Sequence, residues 1–262
     1  MRGGLRHRRF NHAGNPVQAT MTNSIGKTKV ELALLHNQGI SKLNQSHTGE
    51  DGNPATEYLV HGWADQSVSG NNAAQTTVEN KPVLNTDGSI EFFNYSNNAT
   101  YADHMNLTNF TVDPSTPFMS FIVCSLGNIS TSCYLSDSGS EVIEFQSGTI
   151  HQLKTGTTSN MNHSSTFQIS NGEKHLFVVE RNSEDEMRLY KNGLAHNAEV
   201  TNSGNFDLES LGVKNLDVSA SNWFDGAMYD VIFINNYQDN FIRKKIEDYL
   251  LKKNGLNRLG NG

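Results

Sequence analysis

Short apolar runs recur along most of the chain, and turn-forming residues separate them. Tyr58-Leu-Val-His-Gly-Trp63 carries the β-branched and aromatic content of a strand, and Asp65 to Asn72 reads as a loop. Pro82-Val-Leu84 and Ser89-Ile-Glu-Phe-Phe93 are shorter strands around the turn Asn85-Thr-Asp-Gly88. Phe118-Met-Ser-Phe-Ile-Val-Cys124 is almost wholly apolar, the pattern of a strand buried on both faces. Cys133-Tyr-Leu135, Val142-Ile-Glu-Phe145, Ile150-His-Gln-Leu153, Lys174–Arg181, Met187-Arg-Leu-Tyr190 and Ala227–Ile234 continue the series. Asn192-Gly193 is the best two-residue hairpin turn of the chain, because a type I′ turn needs positive φ twice. Strands spaced about 8–12 residues apart with turn residues between them predict a β-sandwich.

One segment has helical period instead. Ile242, Ile246, Tyr249 and Leu250 form an apolar stripe with Phe241 beside them. Asp239 is placed to cap its start and Gly255 to stop it. Arg243, Lys244, Glu247, Asp248, Lys252 and Lys253 are expected on the opposite, solvated side. The stripe predicts a helix packed on the sandwich; a partner-binding surface is the alternative. Lys29–Leu35 is too short for its period to separate helix from strand. His36 to Pro54 reads as a polar loop or linker, and residues 1–22, without periodicity, as an extended arm. The expected organisation is therefore a docking arm and linker over 1–54 and one jelly-roll domain over 55–262.

Composition agrees with strands and tight turns, since charged residues make up only 18% while Asn, Gly, Ser and Thr abound. Charge is unevenly spread. Residues 1–29 hold six Lys or Arg and no acid, which leaves 14 basic against 27 acidic residues, a net of −13, on the rest. A basic arm on an acidic body suits docking to an acidic surface. Arg2, Arg6, Arg8, Arg9 and Phe10 are its contact candidates, and a lone aromatic for base stacking argues against nucleic acid. No stretch has the roughly 18 apolar residues of a membrane helix. No apolar run follows the basic start, so a secretory leader is not expected and assembly in a cytoplasm is. Cys124 and Cys133, the two cysteines, are expected as buried reduced thiols, with a hairpin-spanning disulfide as the alternative.

Three ordered motifs carry a resemblance. Trp63-Ala-Asp-Gln-Ser67, Gly70-Asn-Asn-Ala-Ala-Gln-Thr-Thr77, Lys81-Pro-Val-Leu84 and Gly88-Ser-Ile-Glu-Phe92 form an opening line, and Arg188-Leu-Tyr-Lys-Asn-Gly193 a hairpin. Phe224-Asp-Gly226, Tyr229-Asp-Val-Ile232 and a helix ending Tyr249–Leu256 form a closing line. Together, over residues 57–256, they resemble the concanavalin A-like (laminin G-like) jelly rolls, in the variety found in virion proteins of tailed bacteriophages, especially those of marine cyanobacteria. Val68 stands where that family usually has Gly, and Glu91-Phe-Phe93 replaces a Phe-Asp pair. The resemblance implies an all-β, concanavalin A-like jelly-roll sandwich with one C-terminal amphipathic helix. It also implies a non-enzymatic virion structural protein, a capsid decoration or a tail or fibre component, oligomeric in the particle and attached to other virion proteins through its arm. A carbohydrate-binding module for host-surface attachment is the alternative, and a glycan hydrolase a third reading.

For sugar binding, an aromatic face with amide and carboxylate partners is needed. Tyr95, Tyr101, Trp223 and Asp225 are the candidates; Trp63 is expected in the core, and Trp223 either at a core edge or as an exposed platform. For hydrolysis, Glu141 and Glu144 are three apart, on opposite faces of a strand, and Glu184-Asp185-Glu186 reads as a solvated turn. Asp65, Asn71 and Asn72 share one loop and Asp137–Glu141 another, neither with the dense oxygen spacing that Ca²⁺ demands. No catalytic residue, metal ligand or cofactor is expected, with Ca²⁺ in one of these loops as the minor alternative.

Overall fold

The computed structural model describes residues 30–48, 54–93, 102–127, 132–137, 141–147, 150–155, 157–162, 169–195, 200–213, 222–236 and 239–260. Among them the strands are, in chain order, β1 (Val30–Leu34), β2 (Ile40–Thr48), β3 (Pro54–Trp63), β4 (Ala73–Ala74), β5 (Val83–Leu84) and β6 (Ile90–Phe92). Then come β7 (Met105–Val112), β8 (Phe118–Leu126), β9 (Ser132–Ser136), β10 (Val142–Ser147), β11 (Ile150–Thr155) and β12 (Thr157–Asn162). The last are β13 (Lys174–Arg181), β14 (Glu186–Lys191), β15 (Leu194–Ala195), β16 (Val200–Thr201), β17 (Phe206–Leu211) and β18 (Gly226–Asn235), followed by the helix α1 (Asn240–Lys253).

Two antiparallel layers follow from the pairings. In the first, β18 lies at the centre, with β8, β13, β14 and the short β15 and β16 to one side, and β1 and β6 sharing its other edge. The second runs β2, β3, β4, β7, β17, β9, β10, β11, β12. The short β5 pairs with both β3 and β6 and so ties the layers along one edge.

Alternation along the strands separates two cores. Phe118, Ile122, Cys124 and Leu126 of β8 point between the sheets, where they meet Phe177, Val179, Val231 and Phe233 and the second layer's Tyr134, Ile143 and Phe145. Met119, Phe121 and Val123, the alternate residues of β8, pack with Leu176, Val178, Ile232 and Ile234 against α1. The first sheet is thus covered on both faces, which is why β8 is apolar at almost every position. A register shift between Met228 and Asp230 lets Tyr229 and Asp230 fall consecutively on the helix side. There the buried Asp230 accepts bonds from Lys253 at 2.5 Å, Asn254 at 2.8 Å and the His36 amide at 2.8 Å, clamping the end of α1 to the sheet.

The closing helix is packed as expected. Asp239 accepts from the amides of Phe241 and Ile242, and Ile242, Ile246 and Leu250 are buried together with Leu251. Phe241, placed beside the stripe, is 64% exposed and lies instead under the Lys245 ammonium. It projects about 100° around the helix from Ile242, off the apolar face. Arg243 and Glu247, expected in solvent, are buried.

Four further expectations are resolved or corrected. Val30–Leu34 is a strand, paired with residues 231–234 in the C-terminal half of β18. The stretch 36–54, read as a loop or linker, contains the nine-residue β2, hydrogen-bonded along its length to β3. Ile40 packs against the core but the Ser41–Asn44 side chains after it are exposed, so that stretch prints no apolar alternation. The sheet therefore begins well before residue 55; the arm, residues 1–22, lies outside the described residues. Cys124 and Cys133 form no disulfide and are buried, on β8 and β9 in opposite layers rather than across one hairpin, and burial pushes the Cys124 thiol up. The Asn192-Gly193 turn has φ of 47° and 80°, as a type I′ hairpin requires.

Candidate functional site

The largest concentration of interacting charge lies on the helix-covered face of the first sheet. Arg188 and Tyr190 alternate on β14 and share that face with Glu180, the register partner of Arg188 on β13. The α1 helix crosses above them. Its Arg243 guanidinium stacks 3.7 Å from the centre of the Tyr190 ring, and its Nε lies 3.3 Å from Glu180. Another nitrogen of Arg243 donates a short bond to Glu247 one turn along. Tyr190 donates to Glu180 at 3.3 Å, and burial, helped by Glu180, raises its phenol above the usual range. Arg243 is 5% exposed, so its charge is affordable only because two carboxylates and a π face surround it.

The C-terminal tail completes the assembly. Arg258 pairs with Glu247 at 3.1 Å and Asp248 at 2.8 Å; burial alone would lower its pKa, but those carboxylates more than offset it. The Leu259 amide donates to the Asn192 carbonyl at 2.8 Å, which fastens the tail to the β14–β15 turn. Glycine is favoured at 193, where φ is +80° and a Cβ would press on the Arg258 guanidinium.

Between helix, hairpin and tail opens a cleft of about 400 Å³. Arg188 and Tyr190 supply its floor, Gly193, Leu194 and Ala195 one wall, Asn240, Arg243 and Lys244 the opposite wall, and Leu259 and Gly260 the end. Three cations line it and no carboxylate does. The acids of the network, Glu180 and Glu247, engage Arg243 from outside the lining.

The residues expected to bind sugar are not gathered there. Trp223 is 8% exposed and packs with Ala102 and Val213, its ring 5.7 Å from His104, whose imidazole burial holds below its ordinary pKa. It belongs to the core edge, because the 222–225 segment turns inward to reach β18, and the platform reading is corrected. Asp225 follows it, half-buried, its carbonyl accepting the Gly127 amide at 2.8 Å. Tyr95, Tyr101 and the arm candidates Arg2, Arg6, Arg8, Arg9 and Phe10 lie outside the described residues. Trp63 is 1% exposed, as expected of a core residue, and its indole donates to the Leu35 carbonyl.

The acidic candidates have structural occupations. Asp65 accepts four bonds of 2.6–2.9 Å, from the amides of Ala33, Ser67 and Asn71 and the hydroxyl of Ser67, so it pins its loop to β1 with no lone pair directed at an ion. Glu141 accepts the Asp207 amide at 3.0 Å, and burial together with Asp137 and Asp207 raises its pKa. Glu144 is fully buried and accepts from Asn222 at 3.0 Å. Neither borders the cleft. Among the described residues, no group of three or more His, Cys, Asp or Glu is arranged to hold a metal ion, and no helix is long and apolar enough to cross a membrane.

Sequence reasoning missed Arg188, Tyr190, Arg243 and Lys244 as a group. They come from two elements more than fifty residues apart, and the local pattern assigns Arg243 to solvent. The i, i+4 pair Arg243–Glu247 is visible in the sequence, but what turns it inward is the buried Glu180 on another strand.

No protein family matches the chain, and no curated protein does. Similarity is found among solved structures. The binding domain of Paraclostridial Mosquitocidal Protein 1 superposes with a TM-score of 0.52 at 12% identity, covering 86% of this chain and 53% of that one. A botulinum neurotoxin type C structure, from work on cell entry through interaction with two ganglioside molecules, gives 0.52 at 13% identity, covering 87% and 53%. The chain thus spans about half the length of these neighbours, and identity this low speaks of fold alone. With two antiparallel layers and a closing helix among the described residues, the chain is a jelly-roll β-sandwich.

Proposed function

We propose that this protein is a non-enzymatic binding protein of a tailed-phage particle, a lectin-like jelly roll attached through its basic N-terminal arm and displayed to a host-surface glycan. The observation that carries the binding reading is the lining of the cleft. Most glycosidic hydrolysis uses two carboxyl groups facing one cleft, about 5–9.5 Å apart. Here the cleft offers guanidinium, ammonium, phenol, amide and apolar side chains and no carboxylate, a set suited to holding a ligand. The fold is one that toxin binding domains also use, and a ganglioside-interacting neurotoxin is among the proteins that share it; a glycan ligand is carried over to this chain as part of the proposal. The virion setting rests on the ordered resemblance of residues 57–256 and on the charge asymmetry between arm and body.

Two measurements test this. Mass spectrometry of purified particles should find the protein at stoichiometric copy number, and its absence from particles would remove the virion role. Incubation with algal and bacterial polysaccharides should release no reducing sugar. Release that is lost on Glu144→Gln would replace the binding reading with hydrolysis.

A further inference from the structure

We propose that the cleft between α1 and the β14–β15 hairpin binds an acidic saccharide, taking its carboxylate or sulfate group on Arg188 and Lys244. This rests on the glycan reading above and narrows it to a ligand class. Of the three lining cations, Arg243 is already held by Glu180, Glu247 and the Tyr190 face, so it acts as a rigid wall. Arg188 is rooted on a strand, where Glu186 holds it loosely at 3.5 Å and its side chain is 36% exposed, and Lys244 stands exposed on the helix opposite. With no carboxylate in the lining, two basic side chains from facing elements favour one compact anion between them. The amides of Phe241 and Ile242 are taken by Asp239, so the attraction comes from side chains rather than from the helix end.

The rest of the lining suits a sugar ring. Leu194 and Leu259 offer apolar surface to the C–H face of a pyranose, and the Asn240 amide can both donate to and accept from its hydroxyls. The volume falls within the roughly 300–1,000 Å³ of small-molecule sites and far exceeds the ~30 Å³ of one water. A polyanion is disfavoured. The body beyond residue 29 carries a net of −13, whereas nucleic-acid affinity grows with the number of phosphates neutralised.

The test uses the full chain on a glycan array of neutral, uronic-acid and sulfated saccharides, followed by calorimetry with a galacturonate trisaccharide, its neutral galactose counterpart and sodium sulfate. Binding should concentrate on the acidic saccharides and weaken several-fold between 50 and 300 mM NaCl, concentrations chosen to shorten the Debye length from about 14 to about 6 Å. The double variant Arg188→Ala/Lys244→Ala should lose at least tenfold in affinity with an unchanged melting temperature. Lys252→Ala, at the far end of the same helix, should bind as before. Neutral glycans bound as tightly as acidic ones, or an unaffected double variant, would overturn the cleft assignment and leave the glycan reading standing. Binding of sulfate alone as strong as that of the trisaccharide would reduce the cleft to an anion site and overturn the saccharide. No glycan bound at all would overturn the glycan reading and this proposal with it.

Discussion

His175 sits on β13 opposite Cys124, with its Nε2 3.4 Å from Glu173, and burial together with the nearby Lys191 holds its imidazole at about 4. The unfolded chain takes up that proton near pH 6.5, so between the two values the unfolded state binds more protons and folding stability falls as pH drops. The expected loss from pH 7 to pH 4 is about 2 kcal/mol after allowance for partial solvent screening. Melting curves should show it, and His175→Gln should flatten the profile. Glu141, whose pKa is raised, has the opposite slope, so the difference between wild type and variant is the quantity to read. A second residue-scale prediction concerns Asp65. Losing its four bonds in Asp65→Ala should cost about 2–4 kcal/mol, because Ala33, Ser67 and Asn71 amides are left without an acceptor. Adding Ca²⁺ or chelator should leave the wild-type melting temperature unchanged, since protein donors already fill the carboxylate. The two tryptophans show what single residues disclose in sequence. Trp63 ends a strand with β-branched neighbours, and its burial was legible. Trp223 follows a polar loop, and only the distant Ala102, His104 and Val213 decide that it is covered.

Among elements, α1 was the most legible, because a 3.6-residue stripe, a capping Asp and a stopping Gly all agree. Ile246→Ala should lower the stability of the isolated protein by about 2–5 kcal/mol, as expected for a buried aliphatic truncated over a packed sheet, while Lys245→Ala should change little. A melting temperature unmoved by Ile246→Ala would mean that the stripe is not packed in the monomer. β8 was legible for a related reason: a strand sandwiched between a sheet and a helix has no polar face to blur the run. β2 was not legible, since a strand with exposed Ser41–Asn44 side chains is specified by the partner it pairs with rather than by its own pattern. The cleft was illegible at this scale too. Each contributing element looks ordinary alone, and the arrangement exists only where helix, hairpin and tail converge.

At the scale of the whole molecule, turn spacing and alternation carried the two-layer architecture, and what they could not carry was the order of strands within each layer. The arm gives the prediction that belongs here. Deleting residues 1–22 should leave a body with an unchanged melting temperature that no longer joins the particle, measured as occupancy in purified virions; full occupancy of the truncated protein would remove the docking role. The strand order also bears on biosynthesis. β18 is the last strand made, yet it lies in the middle of the first sheet, with β1 and β6 on one side and β8 on the other. A nascent chain that has not released residue 235 from the ribosome has neither the central ladder nor the helix that covers it, and its earlier strands must wait with their apolar faces unpaired. A chain terminated before Asn235 would therefore lack the centre of the first sheet, and one terminated before Lys253 would lack part of the helix that covers it, so neither would be fit for incorporation.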